Sequence, residues 1–209
     1  VPVVSDLLAN VLGIGILMAS VILHEVAHGY TALRLGDPTA HYAGRLTLNP
    51  LKHIDPFGTV ILPLLLIFLK SSFLIGWAKP VPVNPALLRD PQRGMMLVSA
   101  AGPLTNIALA LVAALPLRIL LSSLPPCLLD LLVNWCIINI FLALFNLVPV
   151  PPLDGSKLVA YFLPPRMRAK YESITPYGLL VIIGLLFLGL MDKVILPLCH
   201  LIFSLLVEG

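Results

Sequence analysis

A chain of 209 residues that is 59% hydrophobic and 11% charged, with a mean hydropathy of +1.02, lies outside the range of water-soluble domains, in which about a quarter of residues are charged. Its length holds roughly four to six membrane spans of about 20 residues and no sizeable soluble domain, so 1–209 reads as a single membrane-embedded domain. The net charge of +3 comes without a basic run, which excludes a nucleic-acid partner. The scattered Cys127, Cys136 and Cys199 make neither a disulfide framework nor a thiolate metal site.

The first predicted helix covers about 7–35 and stops at Gly36-Asp37-Pro38. Between residues 7 and 33 there is no lysine or arginine, and Glu25 is the only acid. In its C-terminal half stand His24-Glu25-Val26-Ala27-His28. Histidines four apart share one helix face, and the glutamate beside the first can reach a water held between them, the arrangement of zinc hydrolases. Three titratable groups in five residues cost several kcal/mol at membrane depth unless they are used. A cleaved leader would carry this motif away, so the stretch reads as a permanent span.

From Thr39 to Pro50 one set of residues (His41, Ala43, Arg45, Thr47, Asn49) alternates with another (Tyr42, Gly44, Leu46, Leu48, Pro50), which predicts a short β-hairpin. The apolar run from Phe57 to Leu69, extended to Ile75 if Lys70 is passed over, is short for a span and contains Pro63. Prolines at 80, 82 and 85 force the following stretch to be extended. Together they predict a re-entrant, Pro-rich region over about 57–85. His41 and His53 read as interfacial loop residues and Trp77 as an interface anchor.

Core helices follow at about 94–121, which contains the small-residue stretch Ala101-Gly102-Pro103-Leu104-Thr105-Asn106, and at about 128–148. The second ends in Asn146-Leu147-Val148-Pro149-Val150-Pro151-Pro152-Leu153-Asp154-Gly155. After a polar segment, a C-terminal helix covers about 176–206, interrupted at Asp192-Lys193 and Pro197. It is either one long tilted span or a span and an interfacial piece.

Zinc hydrolases hold the metal with three protein groups and leave a fourth position to water. The glutamates are Glu25, Glu172 and Glu208, none in the hundred residues after the motif. Asp6, Asp37, Asp55, Asp90, Asp130 and Asp192 fall at span ends or in polar loops. Asp154 instead follows an apolar helix and a Pro-rich turn, where a carboxylate needs a partner, and Gly155 lets the backbone turn closely there. A metal ligand and an N-cap for the next helix are both open readings of Asp154 from the residues alone.

Three separated motifs, His24 to Gly29, Ala101 to Asn106, and Asn146 through Gly155, together resemble the site-2 proteases, the intramembrane zinc metalloproteases of regulated intramembrane proteolysis, in a minimal form without PDZ or CBS domain. The resemblance implies an all-α polytopic bundle that cleaves a transmembrane protein or peptide within the lipid bilayer. It implies one Zn2+ on His24, His28 and Asp154, with Glu25 as general base. It also places Asn146 beside the scissile carbonyl, with an interhelical hydrogen bond as the competing role, and Asn106 near substrate, with helix packing as the competing role. The Thr39–Pro50 or Pro80–Pro85 segments offer an edge for an extended substrate. A membrane zinc transporter or a non-proteolytic scaffold are the alternatives.

If His24, His28 and Asp154 share one ion, the helices carrying them end on one face, and the chain from 36 to 93 leaves and returns to that face. Arg34, Arg45, Lys52, Lys79, Arg89, Arg93, Lys157, Arg166, Arg168 and Lys170 then lie on the side of the site, against Lys70, Arg118 and Lys193 opposite. The positive-inside bias turns the site toward the cytoplasm, in the cell membrane.

Overall fold

The computed structural model describes residues 2–69, 76–120 and 123–208. Helix α1 is Pro2–Arg34, broken at Gly36, whose φ of +111° suits a residue without Cβ. Helix α4 is Pro91–Leu120 and begins at an Asp-Pro pair. Asp90 Oδ1 accepts from the backbone N–H groups of Gln92 (3.1 Å) and Arg93 (3.0 Å), satisfying donors that the first turn leaves free. Helix α5 is Pro126–Asn146, with a proline in its first turn.

Helix α4 is the centre of the bundle, packed on α1, on α5, on α6 (Asp154–Phe162) and on α9 (Leu196–Val207). Ala110, Ala113, Ala114 and Leu117 of α4 form one core with Cys136 and Ile140 of α5 and Cys199 of α9. The three alanines let the helix axes approach closely, which drives association where lipid removes the hydrophobic contribution. Cross-helix pairs set the directions. His24 meets Asn106 and His28 meets the Val98 carbonyl, so α1 and α4 are antiparallel. Asn106 meets Asn139 across a short turn, so α5 runs back beside α1.

Val11–Arg34, Pro91–Leu120, Pro126–Asn146 and Pro165–Phe187 are long and apolar enough to cross a membrane. The last contains the polar helix α7 (Pro165–Glu172) and the apolar α8 (Gly178–Phe187). Over 176–206 the chain is not one helix, because it turns at Gly189 (φ +88°) before α9.

The expected β-hairpin over Thr39–Pro50 is not there, and no strand occurs among the described residues. Thr39–Tyr42 is a single helical turn, α2. The alternation was overridden locally: Asp37 Oδ1 accepts from the Thr39 N–H at 3.0 Å and from the Thr39 hydroxyl, which nucleates a turn directly after α1. The N–H groups of Tyr42 and Ala43 then close helical bonds to Pro38 and Thr39, and Gly44 takes a φ of +62°.

Between α2 and α4 the chain leaves one end of the bundle and returns to it, since the Arg89 N–H donates to the Leu35 carbonyl at 3.0 Å. Asp55 caps the segment Pro56–Ile61, which continues into α3 (Leu62–Phe68). Residues 70–75 of the expected re-entrant region lie outside the described residues. Residues 76–84 have no regular secondary structure and cross the end of α1 as a strap. Strap groups bond inward in series: the Trp77 N–H to the Gly58 carbonyl, the Lys79 N–H to the His53 carbonyl, the Val81 N–H to Glu25, and the Asn84 N–H to Asp37. The buried Arg45 donates from Nη2 to the Lys79 carbonyl at 2.6 Å.

Candidate metal centre

His24 and His28 project from the buried face of α1, 6% and 8% exposed. Asp154 arrives from the other end of the chain, on the first residue of α6, after a loop that contains a cis Pro151–Pro152 bond. Its Oδ2 lies 3.1 Å from His24 Nε2 and 3.3 Å from His28 Nε2, and the two Nε2 atoms are 3.0 Å apart. The N-cap position of α6 is Leu153; Asp154 is the first helical residue, and its Oδ2 faces the two histidines. It is the one His/Cys/Asp/Glu cluster with metal-ligand spacing among the described residues.

The donor chemistry fits a zinc ion. His28 Nδ1 lies 2.7 Å from the Val98 carbonyl, which can only accept, so Nδ1 carries the ring proton and Nε2 presents its lone pair. His24 Nδ1 lies 2.6 Å from Asn106 Oδ1 with the same result. Two nitrogen lone pairs and a buried carboxylate oxygen that lacks a hydrogen-bond donor therefore converge. Such a convergence is repulsive unless a metal ion or a proton sits between the donors. Donors at ~2.0–2.1 Å from a tetrahedral zinc stand about 3.3 Å apart, which is close to the triangle formed here.

Two glycines make room for it. A Cβ on Gly102 would stand 2.5 Å from both His24 Nε2 and His28 Nε2, so α4 can press against the motif only without a side chain there. A Cβ on Gly155 would stand 2.1 Å from the Leu147 carbonyl oxygen, and the loop could not fold back to deliver Asp154.

Glu25 is half-buried beside the histidines, and its Oε2 accepts from the Val81 N–H at 2.7 Å. Asn106 is fully buried, with Oδ1 on His24 and Nδ2 on Asn139, so its polar atoms are engaged inside the bundle. Asn146 donates from Nδ2 to the Leu142 carbonyl of its own helix at 2.9 Å, which leaves one N–H over. His41 is exposed. His53 is buried in the loop, with Nε2 2.8 Å from the Thr47 carbonyl. Trp77 packs on Gly58 and Phe57. Sequence reasoning also missed Ser20 and Asn139, both 0% exposed, because a single polar residue in an apolar helix has no local signature.

A family model described as Peptidase family M50 matches residues 125–189. The chain is 39% identical over 191 residues to the "Putative zinc metalloprotease YwhC" of Bacillus subtilis, covering 88% of this chain and 84% of that protein. It is 30% identical over 168 residues to the "Putative zinc metalloprotease Rip2" of Mycobacterium tuberculosis H37Rv, covering 80% of this chain but 63% of the relative. A shorter match, 42% identical over 69 residues, is to the "Putative zinc metalloprotease MJ0611" of Methanocaldococcus jannaschii, 31% of this chain and 32% of that protein. No solved structure matches significantly.

Proposed function

The chain belongs to peptidase family M50 and is a zinc metalloprotease; we propose that it cuts peptide bonds in the membrane-spanning segments of other proteins, with its site opening toward the cytoplasm. One observation carries the reading: the lone pairs of His24, His28 and Asp154 converge between helices apolar enough to lie in a bilayer. A carboxylate and two imidazoles at that depth are sustained by a bound cation and by use.

In this reading His24, His28 and Asp154 hold the zinc, which when bound supplies Lewis-acid polarisation of a water and of the substrate carbonyl. Glu25 acts as the general base. Its Oε2 is tied to the strap, so Oε1 is the oxygen that takes a proton from the attacking water. The same carboxyl then returns that proton to the amine released by C–N cleavage. The spare N–H of Asn146 is the donor offered to the carbonyl oxygen as negative charge develops on it.

The strap's inward-facing N–H groups at 77, 79 and 81 are already bonded, and Pro80 and Pro82 between them have no N–H. From Lys79 to Pro82 the strap therefore has no free N–H to offer, and an extended substrate laid along that stretch supplies the donors itself. A transport pathway would need further ligand clusters along the bundle, and among the described residues there is the one.

The test uses purified protein in lipid vesicles with a panel of single-span substrates. Cleavage within the span, abolished by a chelator and restored by Zn2+, is the expected result. Absence of any chelator-sensitive product across the panel overturns the proposal.

A further inference from the structure

Behind His24 runs a line of buried polar side chains that the hydrolytic reading leaves unused. His24 Nδ1 meets Asn106 Oδ1 at 2.6 Å, and Asn106 Nδ2 donates to Asn139 Oδ1 at 2.8 Å. Asn139 Nδ2 in turn donates to Ser20 Oγ and to the Trp135 carbonyl, both at 2.9 Å. Ser20, Asn106 and Asn139 are each 0% exposed. Polar groups inside apolar helices are costly unless every member of the network is bonded. Here the bonds run between α1, α4 and α5, the three helices that enclose the site.

The line has a direction. A backbone carbonyl only accepts, so the Trp135 carbonyl fixes the Asn139 amide with its nitrogen toward α5's own backbone and its oxygen toward Asn106. Asn106 must then present Nδ2 to Asn139 and Oδ1 to His24. An oxygen facing His24 Nδ1 requires the ring proton on that nitrogen, and the lone pair is left at Nε2, where Asp154 and His28 converge. With the amides reversed, a donor would face Nδ1, the proton would move to Nε2, and His24 could not take a cation.

We infer that Asn139, seated on the Trp135 carbonyl and Ser20, is a positioning residue that selects the metal-competent tautomer of His24 through Asn106. His28 has no such relay, because its Nδ1 bonds the Val98 carbonyl directly. The inference rests on the reading of His24 as a zinc ligand and adds to it the device that prepares the ligand.

The experiment follows zinc release from the purified full-length protein into a chromogenic chelator. Loss of a partner behind a ligating histidine typically weakens metal binding about 10- to 100-fold, and Asn139→Leu should release zinc faster by that factor. Ser20→Ala should move in the same direction by less. Asn139→Asp keeps an oxygen toward Asn106 and should retain zinc better than Asn139→Leu. In an Asn106→Leu background, Asn139→Leu should add nothing, because both act through one bond to His24, whereas a packing role would add its full effect again. Release within about twofold of wild type in both Asn139→Leu and Ser20→Ala, or an additive double variant, overturns the relay. If Asn139→Leu does not fold, Ser20→Ala and Asn139→Asp carry the same comparison. His24→Ala keeps the two readings apart: zinc retained there refutes the metal site itself, while a zinc-free His24→Ala with unchanged Asn139 variants refutes the relay alone.

Discussion

At the residue scale the proposed mechanism separates holding the ion from moving protons, and two substitutions test the separation. Glu25→Gln keeps the side-chain length and removes the base, so proteolysis should fall by about 10²-fold or more while bound zinc, measured by metal analysis, stays at the wild-type level. Asp154→Asn should do the reverse in kind, lowering zinc content first and activity with it. Cleavage that survives Glu25→Gln would sink the base assignment. Full zinc occupancy in Asp154→Asn would remove that residue from the ligand set. The histidine pair was legible in the sequence because its spacing is a helix repeat, and Asp154 because an acid after an apolar helix needs a partner. The sequence left Asp154 open between ligand and cap; its carboxylate is directed at His24 and His28, which supports the ligand reading. Asn139 was invisible for the complementary reason, since its partners lie 33 and 119 residues away.

At the scale of elements, the strap is held to the α1 end by few bonds, and Asp37 makes one of them, accepting from the strap's Asn84 N–H as well as twice from Thr39. Burial pushes the Asp37 carboxyl up, but hydrogen bonds from the Thr39 hydroxyl and from the Asn84 and Thr39 N–H groups outweigh it and hold the group below its ordinary value. A carboxyl depressed in the folded state contributes stability that is complete above its unfolded value, about 3.9, and disappears as pH falls through the lower folded one. Asp37→Asn should therefore cost about 2 kcal/mol near neutral pH and progressively less below about pH 4, as followed by thermal unfolding of both proteins across that range. A constant difference from pH 7 down to 2 would exclude this account. Helices expected over 94–121 and 128–148 lie at Pro91–Leu120 and Pro126–Asn146, as composition and Asp, Gly and Pro stop signals allow, whereas the one expected over 176–206 is broken at Gly189. The hairpin expected over Thr39–Pro50 failed because an alternating pattern of ten or so residues is weaker than one buried Asp that turns the chain at its start.

For the whole molecule, the topology leaves one thiol positioned to report orientation. Cys127 is exposed in the first turn of α5, at the end of the bundle away from Asp154, whereas Cys136 and Cys199 are buried. In intact cells a membrane-impermeant maleimide should label Cys127 if the site opens inward, and Cys127→Ser should abolish the signal. Labelling only after the cells are lysed would invert the proposed orientation. The distance along the chain between the histidine pair and Asp154, roughly 130 residues, has a consequence for biosynthesis. A ribosome delivers His24 and His28 early and Asp154 only after α4 and α5 have been made, so with the proposed ligand set the third ligand, and with it the hydrolytic power, would be withheld until the bundle that shields the site already exists. With that ligand set a nascent chain would be unable to cut its neighbours while it is being inserted.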